Sequence, residues 1–139
     1  MDMRWRSHDA YVADVAAQQS KVQRQLELLA PLVTSCPRVL DFGAGIGTFV
    51  SAALERGWDT VGVERSRSAL ERAARNAVDL VPDPSHLRGD FDVITMWDVV
   101  EHLREPQDTI ASLRARLRPG GWMIFETANW ESWVRLRGR

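Results

Sequence analysis

The sequence predicts an α/β domain, built on a doubly wound and mainly parallel sheet of about five strands with helices on both faces. Short apolar runs alternate along the chain with longer amphipathic stretches, which is typical of parallel strands that are joined by helices. One of these runs, "FDVITMW", is apolar at most positions, as expected of a strand that is buried on both faces. The chain of 139 residues is 45% hydrophobic and 27% charged, which suits a single domain, residues 1–139.

The chain is predicted to begin with a helical segment, residues 1–36. Apolar residues recur over residues 9–33 at spacings of mostly three and four, which predicts a helix with one buried face. Pro31 is expected to end or kink this helix early, because proline cannot donate a helical hydrogen bond. The pair Cys36-Pro37 then breaks the helical pattern.

Residues 37–129 are predicted to form the core, in which strands and helices alternate. The strands are expected at "RVLDF", "TVGVE", "FDVITMWDVV" and "WMIFETAN", with a short one at residues 78–81. The first helix of the core, "GTFVSAALERG", is expected to stop at Gly57. The second, "SRSALERAARNAV", contains Ser68 and Glu71 at the spacing of a capping box. The third is expected to run from Pro106 to residues 119–121.

Bulk composition excludes several classes of partner. The net charge of −1 offers no general attraction for nucleic acid, and we expect no nucleic-acid partner. No apolar run approaches the roughly 20 residues of a membrane helix, so we expect no membrane partner. Cys36 is the only cysteine, which excludes a cysteine-based metal cluster, and no other set of ligands has suitable spacing. We therefore predict no metal, and a cytoplasmic location.

A glycine-rich turn follows the first strand, in the stretch "VLDFGAGIGTFV". Gly43, Gly45 and Gly47 leave the backbone free of side chains at the carboxyl end of this strand, where ligands bind in doubly wound sheets. Asp41 ends the strand itself. Glu64 ends the second strand, about 20 residues beyond the first glycine, and a carboxylate at that place can accept hydrogen bonds from both hydroxyls of a ribose.

The ligand indicated by this turn is a cationic nucleoside without phosphate. A dinucleotide fingerprint needs a third glycine, but Thr48 stands at that position. A pyrophosphate would also be repelled by Asp41, whereas the sulfonium and amino groups of S-adenosylmethionine would be attracted. A tight turn without any ligand is the alternative, and the two acidic residues argue against it.

With these motifs in place, the chain resembles the class I S-adenosylmethionine-dependent methyltransferases. The blocks that carry the resemblance are "VLDFGAGIGTFV", "VGVERS", "FDVITMWDVVEHLREP" and "LRPGGWMIFETAN", which together span residues 39–129. The resemblance is closest to bacterial small-molecule methyltransferases that carry "EH" after the fourth strand. It implies a Rossmann-like fold and methyl transfer to a small-molecule acceptor, with S-adenosylhomocysteine as the product.

The resemblance also implies which residues would bind the cofactor. The residues around the glycine turn would hold its methionine part, Glu64 the ribose, and Arg65 would lie beside the adenine. The family usually adds an adenine contact after the third strand, for which Asp79 and Leu80 are weak candidates. The cofactor-binding residues expected in this way are Asp41, Phe42, Gly43, Ala44, Gly45, Glu64, Arg65 and Trp97.

The catalytic candidates are Asp98 and His102. Methyl transfer is an in-line displacement from an activated donor, so a base is needed only if the acceptor must lose a proton. If a helix began at Asp98, then His102 would follow one turn later on the same face and could act as that base. A role for Glu101 and His102 in packing alone is the alternative.

The chain departs from the resembled family at its C-terminal end. A family member continues with an antiparallel hairpin, whereas residues 130–139 are expected here to be a tail and "WMIFE" an open edge strand. Such an edge recruits partners, so three alternatives stay open: the tryptophan-rich tail covers it, a second copy pairs there, or another chain supplies the missing strands. Two further hypotheses stay open: a module that binds S-adenosylmethionine or S-adenosylhomocysteine but needs another chain for activity, and an interaction protein that has lost its cofactor.

Overall fold

A computed structural model describes the backbone of residues 8–127 and 130–137 and the side chains of residues 14–127. This part of the chain forms one six-stranded sheet with the strand order β3-β2-β1-β4-β5-β6. The strands are β1 (Arg38–Phe42), β2 (Asp59–Val63), β3 (Leu80–Val81), β4 (Phe91–Trp97), β5 (Leu117–Thr127) and β6 (Trp130–Arg137). The helices are α1 (His8–Leu29), α2 (Thr48–Glu55), α3 (Arg67–Arg75) and α4 (Pro106–Arg114).

The first five strands run parallel to one another, which confirms the predicted doubly wound sheet. β1 pairs with β2 on one side and with β4 on the other, so the strand order reverses beside β1. Their carboxyl ends therefore border the crevice in which such sheets bind ligands. None of the helices that the structure describes is long and apolar enough to cross a membrane.

The sixth strand corrects the expectation of a tail and an open edge. β6 pairs with β5 in the antiparallel direction, with Met123 opposite Leu136 and Phe125 opposite Val134. The prediction that "WMIFE" would be an open edge was wrong, and the alternative that the C-terminal tail covers this edge is confirmed, because residues 130–137 pair with β5. The proposed partner chain is therefore not required at β5.

α1 ends early, as Pro31 predicts: it stops at Leu29, and Ala30–Leu32 forms a 3₁₀ turn that contains Pro31. Two other element boundaries differ from those predicted. α4 ends at Arg114, well before the predicted residues 119–121, because the Phe91 N–H donates to the Arg116 carbonyl and draws the chain into the sheet. The α3 cap is Ser66, whose hydroxyl accepts from the Ala69 N–H, and so the predicted capping box at Ser68 is wrong.

The core has two layers, one on each face of the sheet. Side chains alternate in direction along a strand, so neighbouring residues enter opposite layers. One layer lies under α1 and α2 and includes Leu26, Leu29, Val39, Val93 and Ile124. The other lies on the α4 side and includes Leu40, Ile94, Met96, Leu113 and Met123. This alternation places helices on both faces, as the apolar pattern of β4 predicts.

Candidate cofactor site

The glycine turn connects β1 to α2 and is fastened to the neighbouring strand. The N–H groups of Gly43 and Ala44 both donate to the Val63 carbonyl at the end of β2, at 2.8 and 2.9 Å. All three glycines of the turn have positive φ: 80° at Gly43, 57° at Gly45 and 81° at Gly47. Glycine is therefore required by the backbone conformation at each of these positions.

Of the three glycines in the turn, only Gly45 faces open space. A Cβ atom added at Gly43 would collide with the Val99 side chain, and one added at Gly47 would lie 2.6 Å from Val78 Cγ1. A Cβ added at Gly45 would have no neighbouring atom within 4 Å. Gly43 and Gly47 thus allow the turn to pack against the protein, whereas Gly45 leaves a cleft beside it unfilled.

Glu64 holds the turn from the end of β2. Its Oε2 accepts a hydrogen bond from the Gly45 N–H at 2.8 Å, and its Oε1 accepts one from the Ser66 N–H at 2.7 Å. A carboxylate offers about four acceptor positions, so both oxygens keep the capacity to bind ligand hydroxyls. Glu64 therefore shapes the turn as well as facing the crevice.

Asp41 is a carboxyl group buried beneath the turn. Its Oδ1 accepts a hydrogen bond from the Thr95 hydroxyl at 2.8 Å, and its exposed fraction is only 2%. Burial raises the pKa of Asp41 to about 7; the Thr95 hydrogen bond opposes this rise and the negative charge of Glu64 adds to it. The group therefore titrates near neutral pH, unlike an ordinary aspartate.

The crevice holds two adjoining cavities. The smaller, of about 200 Å³, lies between the glycine turn and α1. The larger, of about 370 Å³, lies over the ends of β1, β2 and β4. Gly43, Trp97 and Asp98 line both cavities, which makes them the junction between the two. The Phe49 ring packs against Trp97 on the α2 side, with ring centroids 5.4 Å apart.

The structure brings all ten predicted site residues to these two cavities. The smaller cavity is lined by Asp41, Ala44 and Gly45, and the larger by Phe42, Glu64, Arg65 and His102, in addition to the three junction residues. Neither Asp79 nor Leu80 lines either cavity; Leu80 is instead buried in β3 and pairs with Gly62 of β2. Within the described residues, no group of three His, Cys, Asp or Glu side chains could hold a metal ion.

The connection after β4 differs from the predicted helix. Val100–His102 forms a 3₁₀ turn, and Leu103 has an extended backbone. His102 is therefore not one α-helical turn beyond Asp98, and it lines the larger cavity together with Glu64 and Arg65.

Asp98 has a left-handed backbone, with φ of 56°, and its N–H donates to the Glu126 carbonyl at 2.8 Å. A non-glycine residue in this conformation is uncommon and often marks a functional position.

A polar cluster contributed by α1 was not foreseen from the sequence. Lys21 Nζ lies 2.5 Å from Asp98 Oδ2 and 4.0 Å from Glu126 Oε2. The buried Gln25 donates from Nε2 to Glu126 Oε2 at 3.2 Å. Gln18, Lys21 and Gln25 follow one another at helical spacing beside the apolar stripe of α1, and this polar stripe was the available signal. Lys21 is the one cation among the described residues that line the smaller cavity.

Comparison with known proteins identifies the family. The family described as "Methyltransferase domain" matches residues 14–138, and the chain belongs to it. This confirms the resemblance to class I S-adenosylmethionine-dependent methyltransferases, although nothing bears on the "EH" subgroup.

The ubiquinone biosynthesis O-methyltransferase of Thiobacillus denitrificans is 32% identical over 117 residues, which covers 76% of this chain and 50% of that protein. The corresponding protein of Bordetella avium is 28% identical and is covered over 43% of its length. The chain thus spans about half the length of the curated relatives it matches.

Solved structures support the same fold. CalS10, an amino pentose methyltransferase from Micromonospora echinaspora solved with S-adenosylmethionine bound, superposes with a TM-score of 0.70 at 20% identity. The match covers 91% of this chain and 58% of CalS10. DesVI from Streptomyces venezuelae also gives a TM-score of 0.70, at 21% identity, with 88% of this chain and 58% of DesVI covered. At these identities the likeness establishes the fold alone.

Proposed function

We propose that this chain binds S-adenosylmethionine across the two cavities and transfers its methyl group to a small-molecule acceptor. The observation that carries the proposal is the open space beside Gly45, in a turn whose other two glycines are closed by packing. A Cβ at this one position would enter the cleft that the ligand needs. The family membership of residues 14–138 supports the same function.

The residues of the two cavities suit the two ends of this cofactor. Lys21 would bind the carboxylate of the methionine part, and Asp41 and Asp98 would attract its amino group and sulfonium. Glu64 would accept hydrogen bonds from the ribose hydroxyls, and Arg65 would lie beside the adenine. The junction residue Trp97 would cover the point at which the nucleoside meets the methionine part.

The chemistry of the transfer requires mainly positioning. The cofactor supplies a methyl group that a sulfonium sulfur already activates for displacement. The protein would hold the acceptor in line with that carbon and exclude water, and Asp98 would border the reacting centre. His102 is the residue proposed to accept the acceptor's proton, although it lines the nucleoside cavity, so a base role requires the acceptor to reach across the junction.

The acceptor is proposed to be a small molecule, and the proposal does not specify which of its atoms receives the methyl group. The two curated relatives are named O-methyltransferases of ubiquinone biosynthesis, and CalS10 is named an amino pentose methyltransferase. The relatives therefore include both oxygen and amino-sugar methyltransferases. The acceptor of this chain belongs to the same broad range of small hydroxyl and amine compounds.

Calorimetric titration with S-adenosylhomocysteine tests the cofactor site. We expect saturable one-to-one binding to the purified, folded chain, with adenosine binding more weakly because it reaches only the larger cavity. Absence of heat and of any ligand-induced rise in Tm would overturn the proposal. Transfer of labelled methyl groups to a panel of phenols and amines then separates an enzyme from a module that only binds the cofactor.

A further inference from the structure

Asp41 and Thr95 form a buried polar pair directly beneath the proposed cofactor. They face each other across β1 and β4 in the sheet register. The Thr95 hydroxyl donates to Asp41 Oδ1 at 2.8 Å, and Thr95 has no exposed surface. Thr95 interrupts the apolar run 93–97 of β4, and a buried hydroxyl at that place is costly unless it is hydrogen-bonded. The pair therefore needs a reason beyond packing.

The Asp41 carboxyl group retains an acceptor position that the described residues do not fill. Thr95 is the only described residue that donates to this carboxyl group. Asp41 also lines the smaller cavity, in which the methionine part is proposed to lie. A positively charged amino group of the ligand would be the strongest partner for its second oxygen.

Among the residues whose side chains the structure describes, the charged groups around Asp41 leave it without a cation of its own. Glu64 approaches from β2 and is negative, as is Asp98 at the end of β4. Lys21 approaches from α1, but its ammonium group is engaged by Asp98 at 2.5 Å. These surroundings therefore help to raise the pKa of Asp41, whereas a cationic ligand would favour its ionised form.

We propose that Thr95 is a positioning residue of the cofactor site: its hydroxyl turns the Asp41 carboxyl group toward the smaller cavity and enables it to give up its proton when the amino group of the cofactor binds. The inference rests on the proposed function and adds to it a coupling between ligand binding and proton release. Thr95 acts through Asp41 and does not touch the ligand itself.

The coupling predicts how affinity depends on pH. Because the pKa of Asp41 is about 7 and a neighbouring ammonium group would lower it, binding below pH 7 must first remove a proton from this carboxyl group. The affinity for S-adenosylhomocysteine is therefore expected to fall as pH falls, and to be about tenfold weaker at pH 6 than at pH 8. 5′-Methylthioadenosine lacks the amino-acid part, so its affinity should change little over the same range.

Titration calorimetry of the full chain between pH 6 and 8, in buffers of different ionisation enthalpy, tests the inference. The wild type should release a proton on binding S-adenosylhomocysteine below pH 7. Thr95→Val removes the hydroxyl and should move the midpoint of the pH profile upward, since the hydrogen bond lowers the pKa of Asp41. Thr95→Ser keeps the hydroxyl and should keep the wild-type midpoint. Asp41→Asn should abolish proton release.

The outcomes separate this inference from the proposed function. Binding at pH 8 with no proton release and no pH dependence in the wild type would overturn the coupling and leave the cofactor site intact. An unchanged pH profile in Asp41→Asn would likewise overturn it, because another group would then carry the proton. Failure of S-adenosylhomocysteine to bind at any pH would overturn the proposed function itself. An unchanged midpoint in Thr95→Val would overturn the role of Thr95, and the wild-type measurement decides the coupling even if that variant does not fold.

Discussion

At the scale of single residues, the glycine turn separates two roles that its sequence does not distinguish. Gly43, Gly45 and Gly47 share a positive φ, so each would be strained by any side chain. Only at Gly45 does the missing side chain leave room for a ligand. The pattern of glycines therefore combines a packing requirement with a binding requirement.

The first prediction concerns Gly45→Ala and Gly47→Ala as a matched pair. Both variants place alanine in the left-handed region, which destabilises each by about 1–2 kcal/mol. Gly47→Ala adds a collision with Val78 and should lower the Tm further, whereas Gly45→Ala should lose affinity for S-adenosylhomocysteine. Thermal unfolding and calorimetry check the two effects. Wild-type affinity in Gly45→Ala would contradict the assignment of the cleft.

The second prediction concerns Glu64→Ala. The substitution removes the acceptor of the Gly45 and Ser66 N–H groups and the proposed partner of the ribose. We expect cofactor affinity to weaken by about 1–3 kcal/mol, as measured by calorimetry. Glu71→Ala is the control, because it removes the same charge from the exposed pair with Arg67 on α3. Equal effects in the two variants would refute the ribose assignment.

The site residues at the ends of β1 and β2 could be predicted from the sequence, but Thr95 of β4 and Lys21 of α1 could not. Asp41 directly precedes the glycine turn and Glu64 follows the next predicted strand, so the position of each follows from the sequence pattern. Thr95 and Lys21 reach the site from β4 and α1, and only the fold brings them there. A buried threonine within an apolar strand was a visible anomaly, but its partner depends on the register between β1 and β4.

At the scale of elements, α1 closes one side of the smaller cavity. Its apolar stripe packs into the core through Val22, Leu26 and Leu29, and its polar stripe presents Lys21 and Gln25 to the ends of β4 and β5. The same helix thus contributes to stability and to the site. Beside the cavity, α1 is attached to the sheet by the polar contacts of Lys21 and Gln25, and a ligand carboxylate can compete with Asp98 for Lys21.

The third prediction concerns Lys21→Ala. The pair with Asp98 is more than a third exposed, so its loss should change stability by less than about 1 kcal/mol. Affinity for S-adenosylhomocysteine should nevertheless fall about tenfold or more, since a charged partner of the carboxylate is lost. Adenosine lacks the carboxylate, and its affinity should stay unchanged. Arg24→Ala, on the exposed side of α1, controls for net charge.

The end of α4 illustrates why element boundaries were harder to predict than elements. Leu113 and Leu117 are four residues apart, which favours a continued helix. In the structure Leu117 pairs with Phe91 of β4 instead, and the helix has already ended at Arg114. A long-range pairing overrides the local pattern here. By contrast, α1 and α2 end at Leu29 and Glu55, two residues before Pro31 and Gly57, so local signals agree with the fold there.

At the scale of the whole molecule, the parallel order of five strands followed from the alternation of strands and helices, but the sixth strand did not. β6 follows β5 with no helix between them, so the two strands pair in opposite directions. From the sequence, residues 130–137 are predicted to be a tail, whereas the structure pairs them with β5 as a strand. The cytoplasmic location and the oligomeric state remain predictions.

The fourth prediction concerns deletion of residues 130–139. Removal of β6 leaves the hydrogen-bonding edge of β5 without its partner. We expect a lower Tm and concentration-dependent association, measured by thermal unfolding and by size-exclusion chromatography. Deletion of residues 138–139 alone is the control, because it leaves β6 intact. A monomer with wild-type Tm after the longer deletion would show that β6 contributes nothing to the sheet.

The adjacency of β1 and β4 has a consequence for biosynthesis. A ribosome releases β1, β2 and β3 first, and these can already pair with one another, but one wall of the crevice consists of Trp97 and Asp98. Until Trp97 and Asp98 have emerged from the ribosome, the nascent polypeptide lacks one wall of the site to which a nucleoside could bind. Any protection that the ligand gives against proteolysis must therefore begin late in translation, once β4 has been inserted beside β1.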